Sequence, residues 1–229
     1  MKRAYTWLGL WASMAVLPTV AAALTLGQIQ TFDNPAHGWV YGAGPVLNNP
    51  TLFPTALGGP GGATDPYLLL QSTGSTGPLS RLTAQNFGFW AGDYTAAGIS
   101  RIRMDVNNFS VNSLALRLAL LEFAGPPVGI ALSQAINVPA NSGWHSIEFD
   151  ISAAALTGVL GNPATTLLNV GELRIVHDPA GVFGTPTPVP PIAASLGIDN
   201  IAAIPEPTTV TLVGAGLAAA AVLARRRAT

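Results

Sequence analysis

The chain has 229 residues and no cysteine, so no disulfide, thiolate metal site or thiol nucleophile contributes to its fold or chemistry. Lys and Arg number 10 against 11 Asp and Glu, but Lys2, Arg3, Arg225, Arg226 and Arg227 sit at the two ends. Residues 24–204 therefore hold five arginines against ten carboxylates, a formal charge of −5 without one lysine; that is the wrong sign for releasing phosphate counterions and excludes a nucleic-acid partner.

Lys2 and Arg3 precede an apolar stretch over residues 4–16, then Pro18 and the small residues Ala21, Ala22 and Ala23. A charged start, an apolar segment too short to span comfortably and an Ala-x-Ala site read as a secretory signal peptide over residues 1–23. Cleavage after Ala23 starts the exported chain at Leu24; a retained N-terminal anchor is the alternative.

From Leu24 onward Gly and Pro recur at strand-length intervals, and the apolar residues between them alternate rather than recur at helical spacing. Ile102, Met104 and Val106 point one way while Arg101, Arg103 and Asp105 point the other, and Leu114, Leu116, Leu118 and Leu120 repeat the pattern. The Asn- and Ser-rich joint between these two runs predicts an antiparallel hairpin. Further strands are expected at residues 28–32, 67–71, 129–132, 144–151, 170–176 and 198–203, with one helical turn at 153–156. Residues 48–66, with Gly58, Gly59, Gly61 and Gly62, read as a long loop, and the Pro-rich residues 185–191 as an extended, exposed segment. The fold expected is all-β: a two-sheet jelly-roll sandwich over residues 24–184, completed by the Pro-rich segment and last strand at 185–204, with a regular barrel as runner-up.

Phe32-Asp33 with Trp39, the Gly-rich stretch leading into Tyr67, the Trp90-Asp93-Tyr94 segment, Trp144 before a late strand and Ile198-Asp199-Asn200-Ile201 together resemble exported sandwiches of the galactose-binding-like and laminin-B-like type. That resemblance implies carbohydrate binding or adhesion. It also implies a structural calcium ion near the first and last strands, where Asp33 and Asp199 fall; no other cofactor is expected.

The chain ends with Ile204-Pro205-Glu206-Pro207, an apolar run over residues 208–224 and the Arg225-Arg226-Arg227 cluster. As a helix the run covers roughly 25 Å at about 1.5 Å per residue, near the lower limit for a hydrocarbon core of about 30 Å. The arginines resist translocation and place the tip on the cytoplasmic side, leaving the preceding body outside. This ending resembles the PEP-CTERM sorting signal of exported bacterial proteins, with Ile204 where the common form has Val. The resemblance implies recognition by a membrane-embedded exosortase, cleavage near Pro205, Glu206 and Pro207, and delivery to the cell envelope or an extracellular polysaccharide matrix. A plain C-terminal tail anchor is the alternative.

Aromatic faces can stack on sugar rings. Trp90, Tyr94 and Trp39 are the leading candidates for that role, with Tyr41 and Trp144 beside them. Glu148 and Asp150, two apart on one strand face, and Glu172 are the carboxylates available to a polysaccharide hydrolase. The histidines His37, His145 and His177 form no zinc motif, and no Gly-x-Ser-x-Gly elbow occurs. A non-catalytic envelope or matrix protein that associates with polysaccharide is the first expectation, and a secreted hydrolase the second.

Overall fold

The structure is a computed structural model that describes residues 24–34, 38–41, 51–77, 79–124 and 126–205. The expected signal peptide, His37, Glu206, Pro207, the 208–224 span and the arginine cluster lie outside the described residues. Among the described residues no helix is long and apolar enough to cross a membrane.

In chain order the elements are β1 (Ile29–Gln30), β2 (Val40–Tyr41), β3 (Thr51–Leu52), β4 (Thr55–Gly59), β5 (Gly62–Thr73), β6 (Thr83–Asn86), β7 (Arg101–Asn108) and β8 (Leu114–Phe123). They continue with β9 (Pro127–Leu132), β10 (Ile136–Val138), β11 (His145–Asp150), β12 (Thr157–Leu160), the single-turn α1 (Pro163–Thr166), β13 (Glu172–His177) and β14 (Ala193–Ile204). One sheet runs β11-β7-β14-β5-β4, with β1 also on β14; the other runs β12-β9-β8-β13-β6-β2-β3, with β10 also on β8. The two sheets face each other as a sandwich, and among the described residues no barrel closes.

Strand alternation builds the core. Leu68, Leu70, Ile102, Met104, Val106, Leu196 and Ile198 from the first sheet meet Leu114, Leu116, Leu118, Leu120, Leu173 and Ile175 from the second, all buried in one cluster. The alternation read for β7 and β8 is thus correct, but the hairpin is not. β7 pairs with β11 and β14, whereas β8 pairs with β9, β10 and β13. Their joint is an arch across one end of the sandwich, pinned by the Asn108 amide, which donates to the carbonyls of Asn112, Val138 and Pro139. Asn and Ser signal a change of direction without specifying whether the chain turns within a sheet or crosses between sheets.

Residues 48–66 are also not one long loop. β4 and β5 form a hairpin whose tip is Pro60-Gly61, with Gly59 opposite Gly62. The glycines let the tip curl onto Asp65: the Gly61 amide donates to Asp65 Oδ2 at 2.6 Å, and a Cβ on Gly59 would lie 2.5 Å from that oxygen. The expected helical turn at 153–156 is a hydrogen-bonded turn closed on the Ser152 carbonyl. Unforeseen, α1 follows shortly after, with Asn162 Oδ1 accepting from Ala164 N as its cap.

Candidate functional site

The outward face of the first sheet is laid out in rows by strand register. Asp150 stands opposite Arg101 and Glu148 opposite Arg103, with an ion pair between Arg101 and Glu148. The next row carries Ser146, Asp105 and Asp199, and the row beyond it Asn107 and Gly197. The charged rows therefore end at a row with one neutral polar side chain, Asn107, and a strand position without a side chain, Gly197.

Over Gly197 three rings converge. A Cβ there would lie 2.7 Å from Trp144 Cη2, 3.0 Å from Tyr67 Cε2 and 3.1 Å from Phe109 Cε2, so only glycine admits them. Tyr67 and Trp144 meet edge-on with centroids 5.1 Å apart, and Phe109 stands edge-on to Trp144 at 6.3 Å. Such offset contacts are the favoured aromatic geometry. The Trp144 indole donates to the Gly58 carbonyl at 2.9 Å, tying the cluster to the β4–β5 hairpin. Tyr67 is buried, whereas Trp144 is half-buried and Phe109 is 42% exposed, so the cluster presents an apolar ring surface to solvent.

Beside it the polar row is pre-bonded. Asp105 accepts from Ser146 Oγ and, at 2.9 Å, from Asn200 Nδ2; Asn200 N donates to Asp199 Oδ1 at 2.7 Å. Asn200 adopts a positive φ of 49° at the irregularity in β14, a conformation Asn tolerates. Burial, opposed by the Asn200 N–H but reinforced by the negative charges of Asp65, Asp105 and Asp33, pushes the Asp199 carboxyl up to about 6. These carboxylates are spent on internal donors: Asp33 Oδ2 accepts from Thr31 Oγ1 and Asp65 Oδ2 from Gly61 N. Among the described residues no group of three or more His, Asp or Glu is placed to hold a metal ion.

The aromatic candidates Trp90, Tyr94 and Trp39 prove to be core residues, each with no exposed surface. Both indoles donate to one acceptor, Gln30 Oε1, at 2.6 Å from Trp90 and 2.9 Å from Trp39. The Tyr94 hydroxyl donates to the Trp90 carbonyl at 2.8 Å, and burial raises its pKa. Their polar atoms are satisfied inside the sandwich, which lets a glycine-rich segment bury its large rings. No ring face is left for a sugar.

The hydrolase candidates are also separated. Glu148 and Asp150 share the outward face of the first sheet, as expected, and Asp150 caps the turn after β11 by accepting from Ser152 N at 2.9 Å. Glu172 lies fully buried on the second sheet, beside Arg174. Burial raises its pKa, against the lowering effect of the Arg174 charge and hydrogen bond. Carboxylates on opposite outer faces of a sandwich cannot flank one glycosidic bond. His177 is buried and not at the surface: its Nδ1 accepts from Ala115 N at 3.0 Å, and burial lowers its pKa while the Asp178 charge raises it.

Alternation predicted the faces of Asp105, Glu148 and Asp150, but Tyr67, Phe109 and Gly197 escaped sequence reasoning as a site. The one available signal was Gly197 inside the apolar run Leu196-Gly197-Ile198, which marks a close approach in a strand.

In fold, the chain is similar to a structure described as an exo-beta-agarase, with a TM-score of 0.53 at 12% identity over 80% of this chain and 26% of that one. It spans about a quarter of that agarase's length, and the likeness concerns the sandwich alone. It is also similar to the family 11 carbohydrate-binding module of cellulosomal cellulase Lic26A-Cel5E of Clostridium thermocellum, with a TM-score of 0.48 at 14% identity over 80% of this chain and 96% of that one. The same holds for the family 11 module from that organism in complex with a beta-1,3-1,4-mixed-linked tetrasaccharide, at a TM-score of 0.48, 14% identity, and 80% and 100% coverage. No protein of curated function matches the chain in sequence. Residues 203–227 match the PEP-CTERM protein-sorting motif, so the chain carries that motif where tripeptide, apolar run and arginines follow one another.

Proposed function

We propose that this chain is an exported, non-catalytic jelly-roll sandwich of the cell envelope or extracellular matrix that binds polysaccharide through the outward face of its first sheet. The observation that carries the reading is the ring cluster of Trp144, Tyr67 and Phe109 over Gly197, beside the bonded polar row of Ser146, Asp105 and Asn200. A sugar ring offers an apolar face and a rim of hydroxyls, and this surface offers an apolar platform with fixed hydrogen-bonding groups at its edge. The separation of Glu148 and Asp150 from Glu172 supports binding over hydrolysis. The sorting motif supports export as a precursor held by residues 208–224, recognised by an exosortase-type enzyme and cleaved near Pro205, Glu206 and Pro207, with Arg225, Arg226 and Arg227 as the stop.

The test is a glycan panel offered to the full-length protein in detergent, read for both retention and new reducing ends. Retention without turnover is the expected result. Released reducing ends would return the hydrolase reading, and neither signal would leave a purely structural role.

A further inference from the structure

Two of the five arginines in residues 24–204 line one cavity on the outward face of the second sheet. It has a volume of about 270 Å³ and is walled by Arg81, Thr83, Arg174, Phe183 and Val189, with Thr185 and Thr187 at the Pro-rich segment. That segment was expected to be merely extended and exposed; it forms the cavity's wall because Val189 is buried and its carbonyl accepts from Arg81 Nε. Arg174 is held in place. Its Nε bonds Glu172, its Nη2 bonds Gln85, and its guanidinium lies 4.8 Å over the Phe183 ring. Arg81 has no carboxylate partner among the described residues. Of the six buried side-chain polar atoms that lack a hydrogen-bond partner among the described residues, Thr83 Oγ1 belongs to a residue of the cavity wall, while Gln85 Nε2 and Glu172 Oε2 belong to the two side chains that hold Arg174. Native interiors leave few such atoms, and one on a cavity wall marks a place where a polar partner is missing.

We propose that this cavity binds the carboxylate of an acidic sugar residue. Arg81 supplies a charge without a carboxylate partner, and terminal nitrogens without a hydrogen bond, among the described residues, in a planar fork suited to a carboxylate. Arg174, paired with Glu172, supplies a guanidinium on a fixed stem, and Phe183, Val176 and Val189 supply the apolar wall for a ring. The volume of about 270 Å³ lies just below the range of drug-sized ligand sites, roughly 300–1,000 Å³; it fits one sugar unit and is too small for a folded peptide. The choice of a sugar over a free anion rests on the matrix reading above, while the site itself is separate from the ring cluster on the other sheet.

Isothermal titration of the full-length protein in nonionic detergent would use a trigalacturonate, its methyl ester, inorganic sulfate and a short poly-aspartate peptide as probes. The free acid should bind, weaken as salt rises, and lose about tenfold or more on esterification and in Arg81→Gln, a fold-change of at least about 1.4 kcal/mol. Thr83→Val, which removes an unbonded hydroxyl, should fold and bind the acid several-fold more weakly. Arg81→Gln should leave retention on neutral glycans unchanged, so failure here and failure of the ring-cluster reading are distinguishable. Equal binding of acid and ester, an unaffected Arg81→Gln variant, no binding of the acid, or tighter binding of sulfate or peptide than of the sugar would each overturn the proposal.

Discussion

The tip of the Trp144 indole occupies the space where residue 197 would carry a side chain, 2.7 Å from the position of a Cβ on Gly197. The missing side chain and the ring platform are therefore one feature. Gly197→Ala must displace Trp144, Tyr67 or Phe109, an overpacking cost of about 1–3 kcal/mol. A fall in melting temperature with a shifted tryptophan emission maximum and weakened glycan retention is the expected outcome. Unchanged emission and retention would mean that the rings do not depend on this glycine.

Asp199 makes stability depend on pH in a defined direction. Its carboxyl in the folded protein is raised to about 6, above the ordinary value near 4, so the folded state holds this proton more tightly than the unfolded chain does. The contribution is fully present below about pH 4 and is lost as pH rises through about 6. Asp199→Asn keeps an oxygen for the Asn200 N–H and removes the charge. It should stabilise the protein by about 1–2 kcal/mol at pH 7.5 and have little effect at pH 4. Thermal melts across pH 4–8 check this.

Gln30 gathers the indole hydrogens of Trp39 and Trp90 on one oxygen. Gln30→Leu deprives both buried donors of that acceptor, and an unsatisfied buried donor costs about 1–3 kcal/mol. Urea denaturation should show a loss of about 2–4 kcal/mol. Glycan retention, measured where the variant is still folded, should be unchanged. Loss of binding at full stability would restore Trp90 to a recognition role.

β14 is bonded to its last residue. Ala203 N donates to Gln28 O at 2.9 Å, Gly27 N to Ala203 O at 2.9 Å, and Ser100 N to Ile204 O at 3.2 Å. Since β14 lies between β5 and β7, cutting within it would remove a central strand. Intact-mass measurement of the exported form should therefore give a C-terminus at or beyond Ile204 and an N-terminus at Leu24, which is itself a core residue. A shorter C-terminus would contradict this account of the strand.

The sandwich was readable from residues 101–106 and 114–120 because side chains on a strand alternate whatever its partner is. Which sheet each strand joined was not, since the arch at Asn108 depends on carbonyls at Val138 and Pro139, far along the chain. The same distance hid the fate of the aromatics. Trp90 looked exposed in its glycine-rich surroundings, yet its acceptor lies 60 residues earlier at Gln30. The ring cluster joins residues 67, 109, 144 and 197, which no local pattern links.

Affinity electrophoresis of Trp144→Ala and the unsubstituted protein through gels containing each neutral polysaccharide that retains the latter tests the central claim most directly. The account predicts retarded migration of the unsubstituted protein, near-free migration of the variant, and matching melting curves that show both remain folded. Equal retardation of the two proteins would contradict it.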